Sequence, residues 1–339
     1  MDWFERLTGF RELNYEDTRS KLKINGSCLQ SVVNGKRYGI GVLELVSLLD
    51  LRDRVKSASV PPGKLKVQLV SGDARAMHRD PDNAGALFQV ASQFNLLEMV
   101  SPGVTPEQGV TRYQSDRTQG PACAIAAGAA TIYRNYLVPV GGDHGQTASR
   151  QLDGLSDMGS ALAAAVNKPV STLWQMKNGY ALCTRDGLQS ITAHINEQNE
   201  SGIDGLRARL RIGFHRDVEV TDADRSERSL VSQAFCSALP VAYTNIPKPL
   251  WESFARLVLE AAYEATMLCG VLNLARGRSN RVLLTAVGGG AFGNDERWIH
   301  DAISRALDIV KDLPLEVRLV SFGQASPSFR AIAHQFGSD

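Results

Sequence analysis

The sequence predicts an α/β fold, and three observations carry that expectation. Residues 250–323 read helix, strand, glycine-rich loop, helix, strand. A parallel sheet covered by helices is the natural packing for that order. Two further apolar runs, "KLKVQLV" (64–70) and "GALFQVASQFN" (85–95), have strand character. A third stretch, "QGPACAIAAGAATIYRNYL" (119–137), opens with glycine and proline and continues as a helix of small residues. Proline fits near a helix start because its missing N–H would be unpaired there anyway.

Along the chain, the first 60 residues mix short strand-like pieces with a helical one, and "VPPGK" (60–64) is a clear break. The strand at 64–70 ends in "SGDARA", and a polar loop containing "SPGVTPEQG" follows the strand at 85–95. Residues 140–215 carry no strong periodicity. They include "VGGDHGQTASR", which suits either a lid or an inert loop, and the linker-like "INEQNESGIDGL". "LRIGFHRDVEVTD" (210–222) reads as a strand whose alternation places His215, Asp217, Glu219 and Thr221 on one face. "SQAFCSALPVAY" (232–243) reads as core strand or helix edge, with Cys236 a small buried residue. A long helix spans 249–277, from Pro249 to Gly277, with an apolar face through Trp251, Phe254, Val258 and Leu272. The run Val282 to Val287 then breaks into the glycine loop, and "LEVRLVSFG" (315–323) is the last strand.

Composition narrows the class. The 339 residues suffice for one large domain or two ordinary ones. Hydrophobic residues make up 43% and charged residues 22%, ordinary for a soluble globular protein. A net charge of +1 gives no global argument for nucleic acid or an anionic membrane. The apolar runs fall short of a bilayer span, and "MDWFERLTGF" lacks the apolar core of a secretory signal. Five cysteines, odd in number and without a CxxC pair, fit reduced thiols in a cytoplasmic setting. A protein delivered into a host cytosol by a leaderless route has the same character. No cofactor is expected.

The segment "LLTAVGGGAFGNDERWIHDAI" (283–303) concentrates four glycines in six positions between a strand and a helix. Glycine lets the backbone approach a ligand closely. Exposed N–H groups ahead of a helix N-terminus make an anion site. The loop matches neither GxxxxGK[ST] nor GxGxxG. Phe292 inside it offers an aromatic surface beside a bound group.

"LLTAVGGGAFGNDERWIHDAISRAL" followed by "LEVRLVSFG" resembles the second phosphate-loop region of macrodomains, in the poly(ADP-ribose) glycohydrolase branch. "VQLVSGDARA", "FQVASQFN" and "TQGPACAIAAGAATIYR" are similar to the adenine-side strand, the "NAAN"-like strand and the first phosphate loop with its helix. These stretches cover about a third of the chain in the family's order. Their wording looks most like macrodomain hydrolases that remove ADP-ribose from arginine of ubiquitin. The resemblance implies a macrodomain-like mixed sheet sandwiched between helices. Residues 1–60 would be an N-terminal extension packed on the core, and 61–339 the ADP-ribose-binding hydrolase domain, with a long insertion at about 140–248.

Residue by residue, the resemblance implies that Asp73 accepts from the adenine amino group and that Gln93 and Asn95 contact the distal ribose region. Thr118, Gln119, Gly120, Ala122 and Cys123 would belong to one phosphate loop. Gly288, Gly289, Gly290, Ala291, Phe292, Gly293 and Asn294 would form the other, with Phe322 or Gly323 on the adenine or ribose rim. Two turns distant in sequence must then converge on one diphosphate.

The chain departs from the branch at the catalytic glutamate pair, because "TQGPACAIAAGAA" has no acid. Cleaving a glycosidic bond at the distal ribose passes through an oxocarbenium-like state that carboxylates assist. An arginine-linked substrate adds a guanidinium that paired carboxylates match. The densest acidic patch, "HRDVEVTDAD", nominates Glu219 first, then Asp217 and Asp222, with Asp224 in the same loop. Asp116 and Asp295 are further candidates, Asp295 more simply as a helix cap. Three alternatives stand beside this hydrolase. A non-catalytic ADP-ribose reader would need no acid near the distal ribose. His215, Asp217 and Glu219 on one face have metal-compatible spacing. Cys123 at a helix start offers a thiolate nucleophile. The expected partners are ADP-ribose or an ADP-ribosylated protein, with ubiquitin as a candidate, and neither nucleic acid nor membrane.

Overall fold

A computed structural model describes residues 1–223 and 228–337. Asp224 therefore lies outside the described residues. Seven strands form the central sheet: β1 (Val42–Ser47), β2 (Lys66–Ser71), β3 (Leu87–Ala91), β4 (Arg211–Glu219), β5 (Leu230–Cys236), β6 (Arg281–Leu284) and β7 (Glu316–Ser321). Their spatial order is β1-β4-β5-β3-β6-β7-β2. The five strands from β5 to β2 run parallel, and β4 pairs antiparallel with both β5 and β1. This is the mixed sheet between helices that the sequence leads one to expect.

Strand alternation divides the core. Val282 and Leu284 of β6 enter the larger apolar cluster on one face, while Leu283 enters a smaller cluster on the other. The larger face is covered by α1 (Leu48–Ser57), and the opposite face by α2 (Ala74–Arg79), α3 (Gln119–Ala126) and α4 (Gly128–Tyr136). Later in the chain α5 (Arg185–Glu197), α6 (Lys248–Ala275), α7 (Glu296–Ile309) and α8 (Pro327–Phe336) complete the first layer. Helix α6 is long and apolar enough to cross a bilayer by length and composition, but 83% of its most apolar window is buried against the sheet and its neighbouring helices. Its apolar residues run all round, which is the pattern of a central core helix.

Two expected boundaries move. Val42–Ser47 lies in the N-terminal 60 residues yet supplies the edge strand of the central sheet, so this segment is more than a packed extension. A separate three-stranded sheet (Leu22–Asn25, Cys28–Ser31, Arg37–Gly39) and helix Trp3–Thr8 pack against α3 and α4 through Trp3, Leu29 and Ile125. Strands β4 and β5 fall inside the range expected for the insertion but are integral to the sheet. The inserted elements proper lie between α4 and β4. They carry helix Ser156–Ala165 and the hairpin Trp174–Lys177/Tyr180–Cys183. The helix expected over 119–137 is two helices, broken at Ala127.

Candidate functional site

The parallel strands end on one side of the sheet, and the chain turns that leave them build a cleft of about 370 Å³. Such volumes suit a small organic ligand. Ala91 at the end of β3 and Ser92 after it, Thr118 to Pro121 at the start of α3, Ala238 after β5, the glycine loop after β6, and Phe322 after β7 all line it. The two turns predicted from sequence therefore do converge.

The first turn is held by Gln119. Its Oε1 accepts from the Ala91 N–H at 2.9 Å and its Nε2 donates to the Gln89 carbonyl at 2.7 Å, so the side chain acts as a short extra strand against the end of β3. Gly120 packs so close to Ala91 that a Cβ would fall on that residue's carbonyl oxygen. Asp116 Oδ1 accepts from both the N–H and the hydroxyl of Thr118. The N–H groups of Gln119 and Gly120 have no partner among the described residues.

The second turn sorts its amides. Gly289, Gly293 and Asn294 spend their N–H groups on Ala286, Gly290 and Gly288 carbonyls. None of these three lines the cleft. Gly288, Gly290, Ala291 and Phe292 do line it, and their N–H groups have no partner among the described residues. Asn294 donates from Nδ2 to the Leu239 carbonyl at 2.9 Å and to Gly288, so it staples the loop from behind. Free backbone amides on two facing turns are the elements of an anion cradle.

The wall between the turns and the insertion is aromatic and acidic. Tyr180, Tyr243 and Phe292 form a cluster with ring centroids 5.2 to 5.6 Å apart. Glu98 also borders the cleft, beside Gly120, with its side chain almost shut off from solvent. Arg134 Nη2 donates to Glu98 Oε1 at 3.1 Å, and Glu98 Oε2 has no partner. Burial pushes the Glu98 acid up to about 7, against the pull of Arg134 and a hydrogen bond from Tyr113. Among the cleft-lining residues the charged groups are Glu98, Asp116 and Arg117.

Of the ligand-binding residues expected from sequence, Gln93, Thr118, Gln119, Gly120, Gly288, Gly290, Ala291, Phe292 and Phe322 line this cleft. The Gln93 amide is engaged with the Met99 N–H and the Tyr180 hydroxyl. Ala122, Cys123, Gly289, Gly293 and Asn294 do not line it. Asp73 lies outside as well, where its carboxylate accepts from Ala76 N–H and caps α2. Asn95 is fully buried and braces the loop by bonding Gln151 and Leu97.

The three acids expected to be catalytic are elsewhere. Glu219 pairs in register with Leu230, two residues before Ser232, which faces Leu87 at the start of β3. The cleft begins four residues later, at Ala91. Six residues at about 3.3 Å each put Glu219 roughly 20 Å from the cleft, because β4 runs antiparallel and ends at the opposite edge of the sheet. Its Oε2 accepts from the Gly39 N–H and its Oε1 pairs with Arg228. Asp217 pairs with Arg276 and Arg278. Asp222 receives a bidentate pair from Arg75 and lines a separate cavity of about 470 Å³ beside Arg6 and Lys36. A bulge between His215 and Val218, with Asp217 at φ +55°, breaks the alternation that was to align His215, Asp217 and Glu219. His215 is fully buried and bonds the Ile40 carbonyl. Among the described residues no cluster of His, Cys, Asp and Glu could hold a metal ion.

Cys123 is not placed to act as a nucleophile. It is completely buried, and desolvation together with the nearby Glu98 raises its thiol well above the ordinary value. A thiolate there is disfavoured. Asp295 caps α7 through the Arg297 N–H, as its simpler reading has it. "GGDHGQT" forms a tight turn whose Gln146 is buried and donates to Asn95 and Arg134 carbonyls, so it is pinned to the wall.

Glu98, Tyr180 and Tyr243 line the cleft without standing out in the sequence. A lone acid inside the apolar run "FNLLEMV" was the available signal for Glu98. Nothing local marks Tyr180, which reaches the cleft from the insertion.

No family model and no curated protein matches the sequence. Solved structures similar to the chain include poly(ADP-ribose) glycohydrolases. One, from Thermomonospora curvata, is 13% identical, with 94% of this chain and 95% of that chain covered and a TM-score of 0.44. Another, from Deinococcus radiodurans in complex with ADP-ribose, is 12% identical, with 86% and 94% covered and a TM-score of 0.45.

Proposed function

We propose that the chain binds ADP-ribose in this cleft and hydrolyses the glycosidic bond that joins it to a protein side chain. The observation that carries the reading is the pair of facing turns, whose unpartnered N–H groups border a cleft with two carboxyl groups in its wall. The amides would cradle the diphosphate and Phe292 would cover the proximal ribose. Glu98, whose acid burial pushes up to about 7, is suited to give a proton to the departing atom. Asp116, on the rim beside the first turn, is suited to take one from the attacking water.

The finer reading is that the modified side chain is arginine and the modified protein is ubiquitin. It rests on the sequence resemblance, and the wall adds support for arginine. Three aromatic rings with a carboxyl group nearby favour a guanidinium over a neutral group. A cytosolic site of action, in the cell of origin or after delivery into a host, accords with five free cysteines.

A second reading is a reader module that binds ADP-ribose without cleaving it. The distance of Glu219, Asp217 and Asp222 from the cleft favours it. Calorimetry with free ADP-ribose, paired with hydrolysis assays on arginine-, glutamate- and serine-linked substrates, separates the two. The hydrolase reading expects binding, turnover of the arginine-linked substrate, and loss of turnover with retained binding in Asp116→Asn and Glu98→Gln. Binding without turnover on any linkage leaves the reader. Absence of binding at millimolar ADP-ribose overturns both.

A further inference from the structure

Charge poses a problem that the glycine loops do not solve. A diphosphate brings negative charge into a cleft whose wall already holds the carboxyl group of Asp116, while Glu98 is taken up by Arg134. Neither turn contains a lysine or arginine among its amide donors. Arg134 is close by, but its guanidinium is fully buried: Nε and Nη2 bond the Leu96 carbonyl, Glu98 and Thr131, the plane lies over the Phe235 ring, and the unpartnered Nη1 is sealed from solvent. It belongs to the wall and is closed to a ligand. The cleft lining itself includes one cation, Arg117. Its side chain is exposed and makes no hydrogen bond or ion pair with any described residue. Most other arginines here are paired with carboxylates, several of them bidentately or in networks. Arg117 also sits between Asp116 and Thr118, directly before the amides of the first turn.

We propose that Arg117 is the cationic clamp for the diphosphate and sets the preference of the cleft for diphosphate-bearing ligands over nucleosides. This deepens the ADP-ribose reading above and rests on it. The planar fork of a guanidinium matches two oxygens of one phosphate, and a single such contact at a cleft mouth adds both attraction and orientation. Backbone amides fix the phosphate positions. Arg117 supplies the charge that offsets Asp116 and the diphosphate itself.

Calorimetry on the full chain tests this with two probes, ADP-ribose and adenosine, for wild type, Arg117→Gln and Arg117→Lys. Because the side chain is exposed and unpaired, both variants should fold as wild type does, checked by thermal melting. Arg117→Gln is expected to weaken ADP-ribose about tenfold and to leave adenosine unchanged. Arg117→Lys, which keeps the charge without the fork, should fall between. The difference between wild type and Arg117→Gln should shrink in ~1 M salt, where the screening length is about 3 Å. Equal ADP-ribose affinity in Arg117→Gln, or an equal loss for adenosine, overturns the clamp while leaving ADP-ribose binding in place. If wild type binds no ADP-ribose, the reading beneath it fails first.

Discussion

Arg134 and Glu98 meet at 3.1 Å inside the cleft wall, and neither side chain reaches solvent. The guanidinium lies 3.9 Å from the centroid of Phe235, so it is packed on one side and hydrogen-bonded on the other. Burial disfavours charge on both partners: it raises the Glu98 acid and lowers Arg134 from its ordinary value. A wall of this kind rigidifies the cleft and keeps a protonatable group poised near neutral pH.

Stability should therefore depend on pH through this pair. Glu98 has an ordinary value of 4.5 and a native value of about 7. The native state holds the proton more tightly than the unfolded chain, so the stabilisation is complete below about 4.5 and is lost as pH rises through about 7. Arg134→Leu removes the opposing charge and raises the native value further. Its cost should be about 3 kcal/mol or more at pH 8, where a buried carboxylate is left unpaired, and clearly smaller at pH 5. Urea unfolding at the two pH values measures this. Equal losses would mean that Glu98 keeps one protonation state across this range.

The close approach at Gly120 gives a sharper structural test. A methyl group at Gly120 would strike the Ala91 carbonyl, whereas one at Gly290 meets nothing within 4 Å. Gly120→Ala should push α3 off the end of β3 and break the Gln119 bonds to Ala91 and Gln89. The expected cost is about 1–3 kcal/mol of stability together with loss of ADP-ribose binding. Gly290→Ala should leave stability within about 0.5 kcal/mol. Thermal melting and calorimetry on the two variants read the contrast. Similar behaviour of both would show that the first turn is not packed as described.

Activity should follow the cleft and ignore the acidic strand. Asp116→Asn is expected to lower kcat about 10²- to 10⁴-fold with little change in ADP-ribose affinity. Glu219→Gln sits roughly 20 Å away along the sheet and should leave kcat/KM within about twofold. Asp222→Asn should act on stability, since it weakens the bidentate contact of Arg75 with a buried carboxylate. Steady-state kinetics on the arginine-linked substrate decides this, and a large kcat loss in Glu219→Gln would return catalysis to β4.

The parts legible in the sequence were those coded by local pattern. The long helix, the apolar strands and the glycine loop each announce themselves through period, length or backbone freedom, and both turns were found. The order of strands was not legible. It decides that β4 runs antiparallel and so carries Glu219 away from the side where β3 and β6 end. The bulge at Asp217 was equally hidden, because one inserted residue in a strand changes every facing that follows. Glu98 and Tyr180 reach the cleft through contacts between segments 82 residues apart in sequence. Only the packing of the insertion brings them together. Asn95 and Asn294 show the reverse error, polar residues beside a site that serve its scaffold.

Cysteine reactivity tests the same geometry without any ligand. Of the five cysteines, Cys28 is half-buried and the other four are buried. Cys123 lies behind the first turn, packed with Val90, Leu96 and Phe235, and takes a weak hydrogen bond from Gln119 Nε2 at 3.2 Å. Its raised thiol value means that almost none is thiolate at neutral pH, and the thiolate is the form that reacts. Iodoacetamide on the native protein at pH 7.5 should therefore give a single adduct, on Cys28, and five only after unfolding, as read by intact mass. Cys123→Ala removes one buried sulfur and should cost about 1 kcal/mol while hydrolysis persists. Rapid alkylation of native Cys123 with matching loss of turnover would instead restore the nucleophile and place the chemistry on α3.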